Sequence, residues 1–598
     1  MGDSIAERLM GQARTRPEHP AYHVRSGDRW VPTPYREYAA EVRRAARAMI
    51  ALGFAPGQTA CVLGFNRPEW AIFHIGCIAA GGAPAGIYTT SSPSEVAYIL
   101  GHAEAPILLL ESRAQWDRLK DAIAPIATLK RIVFMAGQSA EGDPRLMGWE
   151  AFLALGDSVP DARVDERMAA LEPDGLATLI YTSGTTGPPK GVMLSHRNLS
   201  FVSDVAGRLV NVTPNDRMLS YLPLSHISEQ AFSILGPAGA GYSIYFAESL
   251  EKVPDNLKEV QPTIFFGVPR IWEKFYAGIT GKLSGASPTK KKLFAWASGV
   301  GRRATDAKNH GKAPSGLLAV EYALAKKLIY SKLKPAVGLG AARVCVSGAA
   351  PIPRHVIDFF AGLDIIVHEV YGQSEDTGPT SFNLPGRTRF GSVGQAVAGV
   401  EVKIADDGEI LVRGPNVFLG YYKEPRATAE TLEEGWLHSG DLGTLDAEGF
   451  LRITGRKKEI IITAGGKNIA PVNIEAAIKQ LGIVEEAVVI GDARPYLTAL
   501  VTLNAEAATK LVLSRGGLPG AAVHESPIVR DEIEKWIAEV NKDLARVETV
   551  KKFRVLGRSF TVDGGELTPS LKIKRRVVDK NYAAEIEAMY AGADTAAS

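Results

Sequence analysis

The sequence predicts a mixed α/β protein with a large N-terminal body and a smaller C-terminal domain. The first half alternates helical patterns with short apolar strand patterns, which is typical of βαβ units and a largely parallel sheet. Near 393–422 the pattern changes to short strands separated by Gly, Pro and Asn, which indicates a small antiparallel sheet or barrel. A new alternation begins after the charged run at 456–459, so we expect a compact C-terminal domain of about 140 residues.

Several elements are predicted from local patterns. Residues Ser92, Pro93 and Glu95 supply an N-cap, a proline at the first helical position and an acid at the third, so a helix should begin there and run through Leu100. Other predicted helices are 36–52, 474–481 and 528–546, and the predicted strands are Thr59–Leu63, Ile107–Leu110, Leu176–Thr182, 487–490 and Leu497–Leu503.

The composition restricts the class of protein. The chain has 598 residues, of which 46% are hydrophobic and 22% charged, and this excludes disordered and collagen-like proteins. A formal net charge of +2 gives no reason to expect a nucleic-acid partner. Three widely spaced cysteines form neither a disulfide framework nor a zinc pattern, so a cytoplasmic protein is expected. The first ten residues do not resemble a secretory signal.

Two segments bear on membrane contact. The apolar segment 71–87 contains His74, Pro84 and several glycines, so we interpret it as a buried helix running into a turn. The segment 281–334 holds twelve basic residues against only Asp306 and Glu321, with aromatic and leucine side chains between them. Solvated helix faces and peripheral docking on an anionic membrane surface are both consistent with this pattern.

The segment 181–191, with the sequence YTSGTTGPPKG, carries the strongest functional signal. Small residues let the backbone turn successive N–H groups towards an anion, while hydroxyls and a lysine add donors and charge. A P-loop requires a lysine followed by Ser or Thr, whereas Lys190 is followed by Gly191. Because the buried strand pattern of Leu176–Thr182 leads directly into this segment, we predict a polyphosphate-binding loop rather than a surface turn.

This loop, continued as YTSGTTGPPKGVMLSH, resembles the phosphate-loop signature of the acyl-adenylate-forming (ANL) superfamily, which includes acyl-CoA synthetases. Further motifs resemble those of the family and follow in its order: LPLSHISE (222–229), GAAP (348–351), YGQSE (371–375), GWLHSGDLG (435–443), GRKKE (455–459) and LKIKRR (571–576). The resemblance implies an N-terminal adenylation domain, 1–455, of two doubly wound α/β subdomains plus a small β-barrel. It also implies a mobile α+β domain, 456–598, with its hinge near 456–458.

The resemblance implies a reaction in two steps. A carboxylate attacks the α-phosphate of Mg-ATP to give acyl-AMP and pyrophosphate, and the thiol of coenzyme A then expels AMP. ATP, Mg2+ and coenzyme A are therefore the expected cofactor and co-substrates. Because phosphoryl transfer depends mainly on positioning and charge stabilisation, the site needs hydrogen-bond donors and a metal more than it needs a base.

The family motifs assign nucleotide-binding roles to residues of this chain. Glu375 matches the family's magnesium ligand, and Thr182 is expected to bind the same metal. Asp441 and Arg456 match residues that hold the ribose, although a structural ion pair between them is the other interpretation. The remaining expected contacts are Ser183, Gly184, Thr185, Thr186, Gly187 and Lys190 at the phosphates, Gly348, Ala349, Ala350 and Tyr371 at the adenine, and Gly372, Gln373 and Ser374 beside them, Ser374 at the α-phosphate.

Catalysis is expected to depend on Lys572, together with Glu375 and Thr182. Lys572 matches the lysine of the adenylation step, although Leu571 replaces the family's preceding glycine, and Lys574 is the competing assignment. The other expected roles are Lys458 as the hinge residue, His226 as a gate of the acyl pocket, and Gly465, Gly466 and Lys467 as the lining of the coenzyme A tunnel.

Only the resemblance to a branch of the family indicates which carboxylic acid is the substrate. The phrase FFGVPRIWEKF (265–275) and the basic insertion after it look like the long-chain fatty acyl-CoA synthetase branch. A medium-chain or aryl acid, or a fatty acyl-AMP ligase that passes its adenylate to a carrier protein, remains the alternative. The expected location is the cytoplasm, with peripheral contact at the inner membrane surface through 281–334 as a further hypothesis.

Overall fold

An eight-stranded sheet with mainly parallel strands organises the first part of the chain in this computed structural model, which describes residues 3–182, 187–518 and 522–591. Its neighbouring strands run in the order Gly420–Tyr421, Lys190–Ser195, Leu176–Thr182, Ala83–Ile87, Thr59–Leu63, Ile107–Leu110, Arg131–Phe134 and Leu146–Gly148. The strands from Leu176–Thr182 to Leu146–Gly148 pair in parallel, and the first two strands pair antiparallel at one edge.

Two smaller sheets accompany it. One has parallel strands Ile264–Gly267, Val344–Ser347 and Val367–Tyr371, continued antiparallel by Ser381–Phe382 and Gln395–Ala396. The other contains Arg217–Ser220, Ser243–Phe246, Pro20–Ser26 and Arg29–Pro34. Because parallel strands need crossover connections, helices separate most of these strands. The predicted mixed α/β class is confirmed.

The α-helices before residue 440 are Ile5–Thr15, Tyr35–Ala51, Pro68–Ala79, Pro93–Ala103, Arg113–Ile123, Trp149–Leu155, Ala162–Ala169, His196–Leu209, Ile227–Gln230, Gly236–Ala240, Val253–Val260, Pro269–Ser284, Pro288–Asn309, Gly316–Ala325, Ser331–Ala336, Arg354–Gly362 and Pro425–Thr431. The capping box predicted at Ser92 is present, with the Ser92 hydroxyl accepting from the Glu95 N–H. The segment 71–87 is a buried helix and turn as predicted, but it ends in the strand Ala83–Ile87. Among the described residues, no helix is long and apolar enough to cross a bilayer.

Short strands and turns fill the segment after residue 393, as predicted. Besides Gly420–Tyr421 of the eight-stranded sheet, the strands between 401 and 456 are Glu401–Ile404, Glu409–Arg413, Leu432–Glu433, Trp436–Leu445 and Leu451–Arg456. The chain divides into two compact units, one comprising 1–403, 411–438 and 445–451, and the other 404–410, 439–444 and 452–598. The domain boundary between 455 and 456 stays a prediction.

The second unit has its own hydrophobic core, built on the strands Val484–Ile490, Leu497–Leu503 and Val550–Val555. Its other elements are the strands Ile461–Ile462 and Asn468–Ile469 and the helices Pro471–Ile478, Ala505–Ser514, Pro527–Val540, Arg575–Asn581 and Ala583–Tyr590. The prediction that one helix runs over 528–546 is wrong at its end. The helix stops at Val540 because the Asn541 side chain exchanges two hydrogen bonds with the backbone of Val550.

Candidate active site

The predicted phosphate loop connects two strands at the edge of the eight-stranded sheet. Leu176–Thr182 and Lys190–Ser195 pair antiparallel, with Thr182 opposite Lys190. Both ends of the connecting loop therefore lie side by side at the end of this strand pair. Gly187, which precedes the second strand, has a φ of +88°, a conformation that favours glycine. Ser183, Gly184, Thr185 and Thr186 lie outside the described residues.

A three-residue cluster lies beside this hairpin. The Lys190 Nζ lies 4.8 Å from the centre of the Tyr421 ring, and the Tyr421 hydroxyl donates to the Glu375 Oε1 at 2.8 Å. The short strand Gly420–Tyr421 pairs with the strand of Lys190, with Tyr421 opposite Val192. Burial, together with the nearby Glu375 carboxylate, raises the pKa of Tyr421, which therefore remains a hydrogen-bond donor. Tyr421 is not among the residues predicted from the sequence, because the pattern around it indicates only a short strand.

The carboxylate of Glu375 is presented by a tightly bonded turn. In the 3-10 turn Ser374–Asp376, the buried Asp376 carboxylate accepts from the Gln373 N–H at 2.7 Å and from the Thr380 hydroxyl at 2.5 Å. Burial raises the pKa of Asp376 to about 8. A Cβ at Gly372 would lie 1.4 Å from the Gly378 carbonyl oxygen, so position 372 requires glycine. The structural role of Asp376 is not predicted from the sequence.

The metal implied by the resemblance can be tested against these residues. Within 3–182, 187–518 and 522–591, no cluster of three or more His, Cys, Asp or Glu side chains is arranged to hold an ion. Mg2+ commonly uses one or two carboxylates and completes its coordination with water and substrate phosphates. A single carboxylate at Glu375, presented near the phosphate loop, fits that mode of binding.

The residues predicted to contact adenine lie at one edge of the five-stranded sheet. The neighbouring parallel strands Val344–Ser347 and Val367–Tyr371 end there, with Ser347 opposite Glu369. Ligands of open α/β sheets bind at such carboxyl ends. A Cβ at Gly348 would lie 2.5 Å from the Val370 side chain, so a larger residue does not fit.

The other residues predicted to contact the adenine and the α-phosphate differ in their exposure to solvent. Ala349 and Ala350 are exposed, Tyr371, Gly372 and Gln373 are half-buried, and Ser374 is buried. Ala349 adopts the left-handed φ of +68°, which non-glycine residues rarely do and which is often found where backbone geometry serves a site.

Asp441 and Arg456 are brought together in the second unit. The Arg456 Nε lies 2.8 Å from the Asp441 Oδ1, and the Asp441 side chain is only 6% exposed. The next residue, Lys457, contacts the carboxylates of Asp407 and Glu409 at 2.6 and 2.9 Å, and these hydrogen bonds raise its pKa. Lys458 lies exposed in the 3-10 turn Lys457–Glu459.

Lys572 lies on a small hairpin of the second unit. The Thr568 hydroxyl accepts from the Lys572 N–H at 3.0 Å, and the Thr568 N–H donates to the Lys572 carbonyl at 2.7 Å. Leu567 and Ile573 pair antiparallel beneath this turn. Lys572 is exposed, whereas Lys574 is half-buried and its N–H donates to the Glu566 carbonyl.

An ion pair fixes the base of that hairpin. The buried Glu566 carboxylate bonds to Arg558 at 2.5 Å and to the Asn581 amide at 2.8 Å. Hydrogen bonding to Arg558 lowers the pKa of Glu566 to about 2. The sequence motif indicates the lysine but gives no sign of Thr568 or Glu566 as its supports.

The loop predicted to line the coenzyme A tunnel is also in the second unit. Gly465, Gly466 and Lys467 are exposed between the strands Ile461–Ile462 and Asn468–Ile469. The Thr463 hydroxyl accepts from the Lys467 N–H at 3.2 Å, and Gly466 has a φ of +71°.

The predicted gate, His226, caps the short helix Ile227–Gln230, where its Nδ1 accepts from the Ser228 N–H. The same short helix carries Glu229, which belongs to a polar cluster that is not predicted from the sequence. The buried Glu229 carboxylate accepts from the hydroxyls of Ser220 and Ser233, each at 2.6 Å, and burial raises its pKa to about 7. The buried Asn66 amide approaches Glu229 at 3.4 Å and donates to the Leu222 carbonyl.

Comparisons with known proteins cover nearly the whole chain. The AMP-binding enzyme family matches residues 9–422, and the AMP-binding enzyme C-terminal domain matches 458–594. The chain is 37% identical to the long-chain-fatty-acid–CoA ligase ACSBG2 of Xenopus laevis, over 97% of this chain and 82% of that protein. It is 36% identical to the long-chain-fatty-acid–CoA ligase FadD15 of Mycobacterium bovis, over 98% of this chain and 97% of that protein.

A solved structure confirms the architecture. The Mycobacterium tuberculosis fatty acyl CoA synthetase superposes with a TM-score of 0.63 at 22% identity, covering 98% of this chain and 99% of that one. This likeness confirms a large N-terminal body with a smaller C-terminal domain. The family match covers far more than half of the chain and both of its parts, so the chain belongs to the AMP-binding enzyme family of the ANL superfamily.

Proposed function

We propose that the chain activates a long-chain fatty acid with ATP to acyl-AMP and pyrophosphate, and then transfers the acyl group to coenzyme A with release of AMP. The observation that carries this proposal is the similarity, over 97% or more of the chain, to relatives named long-chain-fatty-acid–CoA ligases. The hairpin that presents Thr182 and Lys190 supports it, because a polyphosphate substrate needs donors and positive charge at one place.

Lys190 and Glu375 are proposed to hold the phosphate end of ATP. Lys190 supplies positive charge at the end of the loop that begins at Thr182, and the Tyr421 hydroxyl fixes the rotamer of the Glu375 carboxylate. Magnesium bound at Glu375 and Thr182 would neutralise charge on the phosphates. The same loop includes Ser183, Gly184, Thr185 and Thr186, to which the family motif gives phosphate contacts.

The nucleoside is proposed to bind through two sets of residues. Gly348, Ala349 and Ala350, together with Tyr371 and the adjoining Gly372, Gln373 and Ser374, would contact the adenine and the α-phosphate. Asp441 would accept hydrogen bonds from the ribose hydroxyls, with Arg456 holding its carboxylate in place.

Lys572 is proposed to act in adenylation by neutralising charge that develops at the α-phosphate and the carboxylate. Lys458 is proposed as the hinge of the domain 456–598, and Gly465, Gly466 and Lys467 as contacts of coenzyme A. His226 is proposed as a gate of the acyl pocket. Its Nδ1 lies at the start of the helix Ile227–Gln230, where it accepts from the Ser228 N–H and lies 2.6 Å from the Ser228 hydroxyl oxygen.

The first test separates Lys572 from its neighbour. Lys572→Ala is expected to abolish pyrophosphate release while ATP still binds, whereas the matched variant Lys574→Ala should keep most of the activity. ATP binding is measured by isothermal titration and pyrophosphate by a coupled assay. Loss of activity in Lys574→Ala with normal turnover in Lys572→Ala would reverse the assignment.

The second test identifies the acid and the acceptor. Pyrophosphate release is measured with saturated acids from C2 to C20 and with benzoate, with and without coenzyme A. We expect a maximum among the long-chain acids and formation of a thioester only with coenzyme A. A maximum at a medium-chain or aryl acid would overturn the choice of acid, and acyl-AMP that accumulates without forming acyl-CoA would favour transfer to a carrier protein.

We also propose a cytoplasmic location with peripheral contact at the inner membrane surface through 281–334. Cys61, Cys77 and Cys345 are buried free thiols, as a reducing compartment allows. The excess of basic residues in 281–334 suits an anionic surface. A fractionation experiment tests the location, and recovery of the protein only from a compartment outside the cytoplasm would contradict it.

A further inference from the structure

A stripe of large apolar side chains lies exposed on the helix Gly316–Ala325 and the π-helical turn Lys326–Tyr330 that continues it. Leu317 is 75% exposed, Val320 66%, Leu324 48% and Leu328 38%. Their spacing of three, four and four residues places them on one side of the helix. Isolated exposed leucines are ordinary, but four on one helical face form a patch of the kind that marks an interaction surface. We call these four side chains the outer face.

The opposite side of the same helix is already packed. Leu318, Tyr322 and Ile329 contact a buried cluster that includes Ala297 and Val300 of the helix Pro288–Asn309. The Tyr322 hydroxyl donates to Asp364 at 3.0 Å, and Glu321 pairs with Arg303 at 2.6 Å. These contacts fix the rotation of the helix about its axis. The outer face is therefore held towards solvent by the fold and does not result from a loosely attached helix.

Exposed lysines lie near both ends of the outer face along the chain. Lys312 is exposed before the helix, and Lys326, Lys327 and Lys332 are exposed after or beside its last turn. The acid within the helix, Glu321, is half-buried and paired with Arg303. An apolar stripe with lysines at its edge is the arrangement found on helices that lie in the plane of a membrane surface, where lysine stems extend along apolar surface and their ammonium groups reach the phosphates.

We propose that the outer face inserts into the headgroup–acyl boundary of an anionic bilayer, with Lys327 and Lys332 contacting lipid phosphates. A second copy of this chain suits the face less well, because a self-complementary contact would bring the same lysines against each other. The inference rests on the proposed membrane contact of 281–334 and deepens it by naming the inserting element. It does not depend on which acid the enzyme activates.

The test is co-sedimentation of the full chain with vesicles of phosphatidylcholine alone or mixed with phosphatidylglycerol. We expect binding to the mixed vesicles, a loss of at least tenfold in affinity for the double variant Leu317→Ser/Leu324→Ser, and a change of less than twofold for the matched variant Val31→Ser/Leu250→Ser. Val31 and Leu250 are also exposed, but they lie outside this helix. Because Leu317 is the most exposed of the four, the single variant Leu317→Ser provides the same test if the double variant folds poorly.

Further measurements decide whether the outer face binds a bilayer or a second copy of the chain. Neutralising Lys327 and Lys332 to Ala should also weaken binding to the mixed vesicles. If the lysine variant binds the mixed vesicles more weakly but the serine variants bind normally, insertion of the outer face is wrong and the membrane contact of 281–334 stands. If the chain binds no vesicles at all, both proposals are wrong. A concentration-dependent dimer that the serine variants abolish, without vesicle binding, would assign the face to a second copy. Pyrophosphate release with a water-soluble acid, measured in parallel, reports on the proposed enzyme function separately.

Discussion

At the scale of single residues, Leu571 adopts a backbone conformation that its side chain disfavours. Its φ is +62°, in the left-handed region, at the position where the family motif has glycine. The conformation is held by the turn that precedes Lys572, in which the Leu571 N–H donates to the Thr568 carbonyl at 2.8 Å. A non-glycine residue in this region costs roughly 1–2 kcal/mol.

We therefore expect Leu571→Gly to be more stable than Leu571→Ala by about 1 kcal/mol, because glycine adopts a positive φ without strain. The free energy of unfolding is measured with urea. At Leu513, an exposed position of the helix Ala505–Ser514, the order of the Gly and Ala variants should reverse. An alanine variant that equals or exceeds the glycine variant at 571 would show that the turn is not left-handed in solution.

Glu229 provides a pH-dependent contribution to stability. Its pKa is raised by burial from 4.5 to about 7. Between these values the unfolded chain releases the proton while the folded chain keeps it, so the contribution of Glu229 to the free energy of unfolding falls as pH rises from about 4.5 to 7 and then levels off.

Glu229→Gln should remove this decrease, because the amide does not titrate and its oxygen can still accept from Ser220 and Ser233. The expected gain over the native chain is on the order of 3 kcal/mol at pH 8 and small at pH 5. Urea unfolding at both pH values measures it, and the exposed Glu172→Gln is the matched control. An equal effect of Glu229→Gln at both pH values would exclude the protonated carboxyl.

At the scale of elements, local sequence patterns predict some features well and others poorly. The capping box at Ser92 and the strand Thr59–Leu63 lie where they are predicted, since both depend on residues a few positions apart. The end of the helix at Val540 is missed because Asn541 bonds to a residue nine positions away. Motif reading likewise finds Lys572 but not Thr568, whose hydroxyl holds the hairpin.

Thr568→Ala should lower kcat for pyrophosphate release by about tenfold with little change in the KM for ATP, because a loosened hairpin misplaces Lys572 without removing it. Thr568→Ser keeps the hydroxyl and should restore most of the rate. Thr549→Ala, which removes a hydroxyl bonded to the Arg546 carbonyl in the same unit, serves as the control. Failure of the serine variant to restore the rate would rule out the hydroxyl as the support.

At the scale of the whole molecule, the two compact units have separate hydrophobic cores. Ile132 is fully buried in a cluster formed by the eight-stranded sheet and its helices, and Ile533 is fully buried in a cluster confined to 461–550. Proteins with several cores often unfold in more than one transition.

We expect calorimetry to resolve two transitions, with Ile533→Ala lowering the temperature of one and Ile132→Ala lowering the other. Each change removes buried atoms and leaves a cavity, which costs about 2–5 kcal/mol. If either variant shifts a single common transition, the two units unfold together.

The sequence by itself determined the mixed α/β class, the phosphate-loop strand Leu176–Thr182 and the ordered family motifs, because these depend on local periodicity and short runs of residue types. Tertiary structure alone decided which side chains support the motif residues. Tyr421 reaches Glu375 across 46 positions, and Asn66 approaches Glu229 across 163. The tertiary structure also decided which side of the helix Gly316–Ala325 is packed and which is exposed. Both sides are apolar in the sequence, and only packing against the neighbouring helix Pro288–Asn309 distinguishes them.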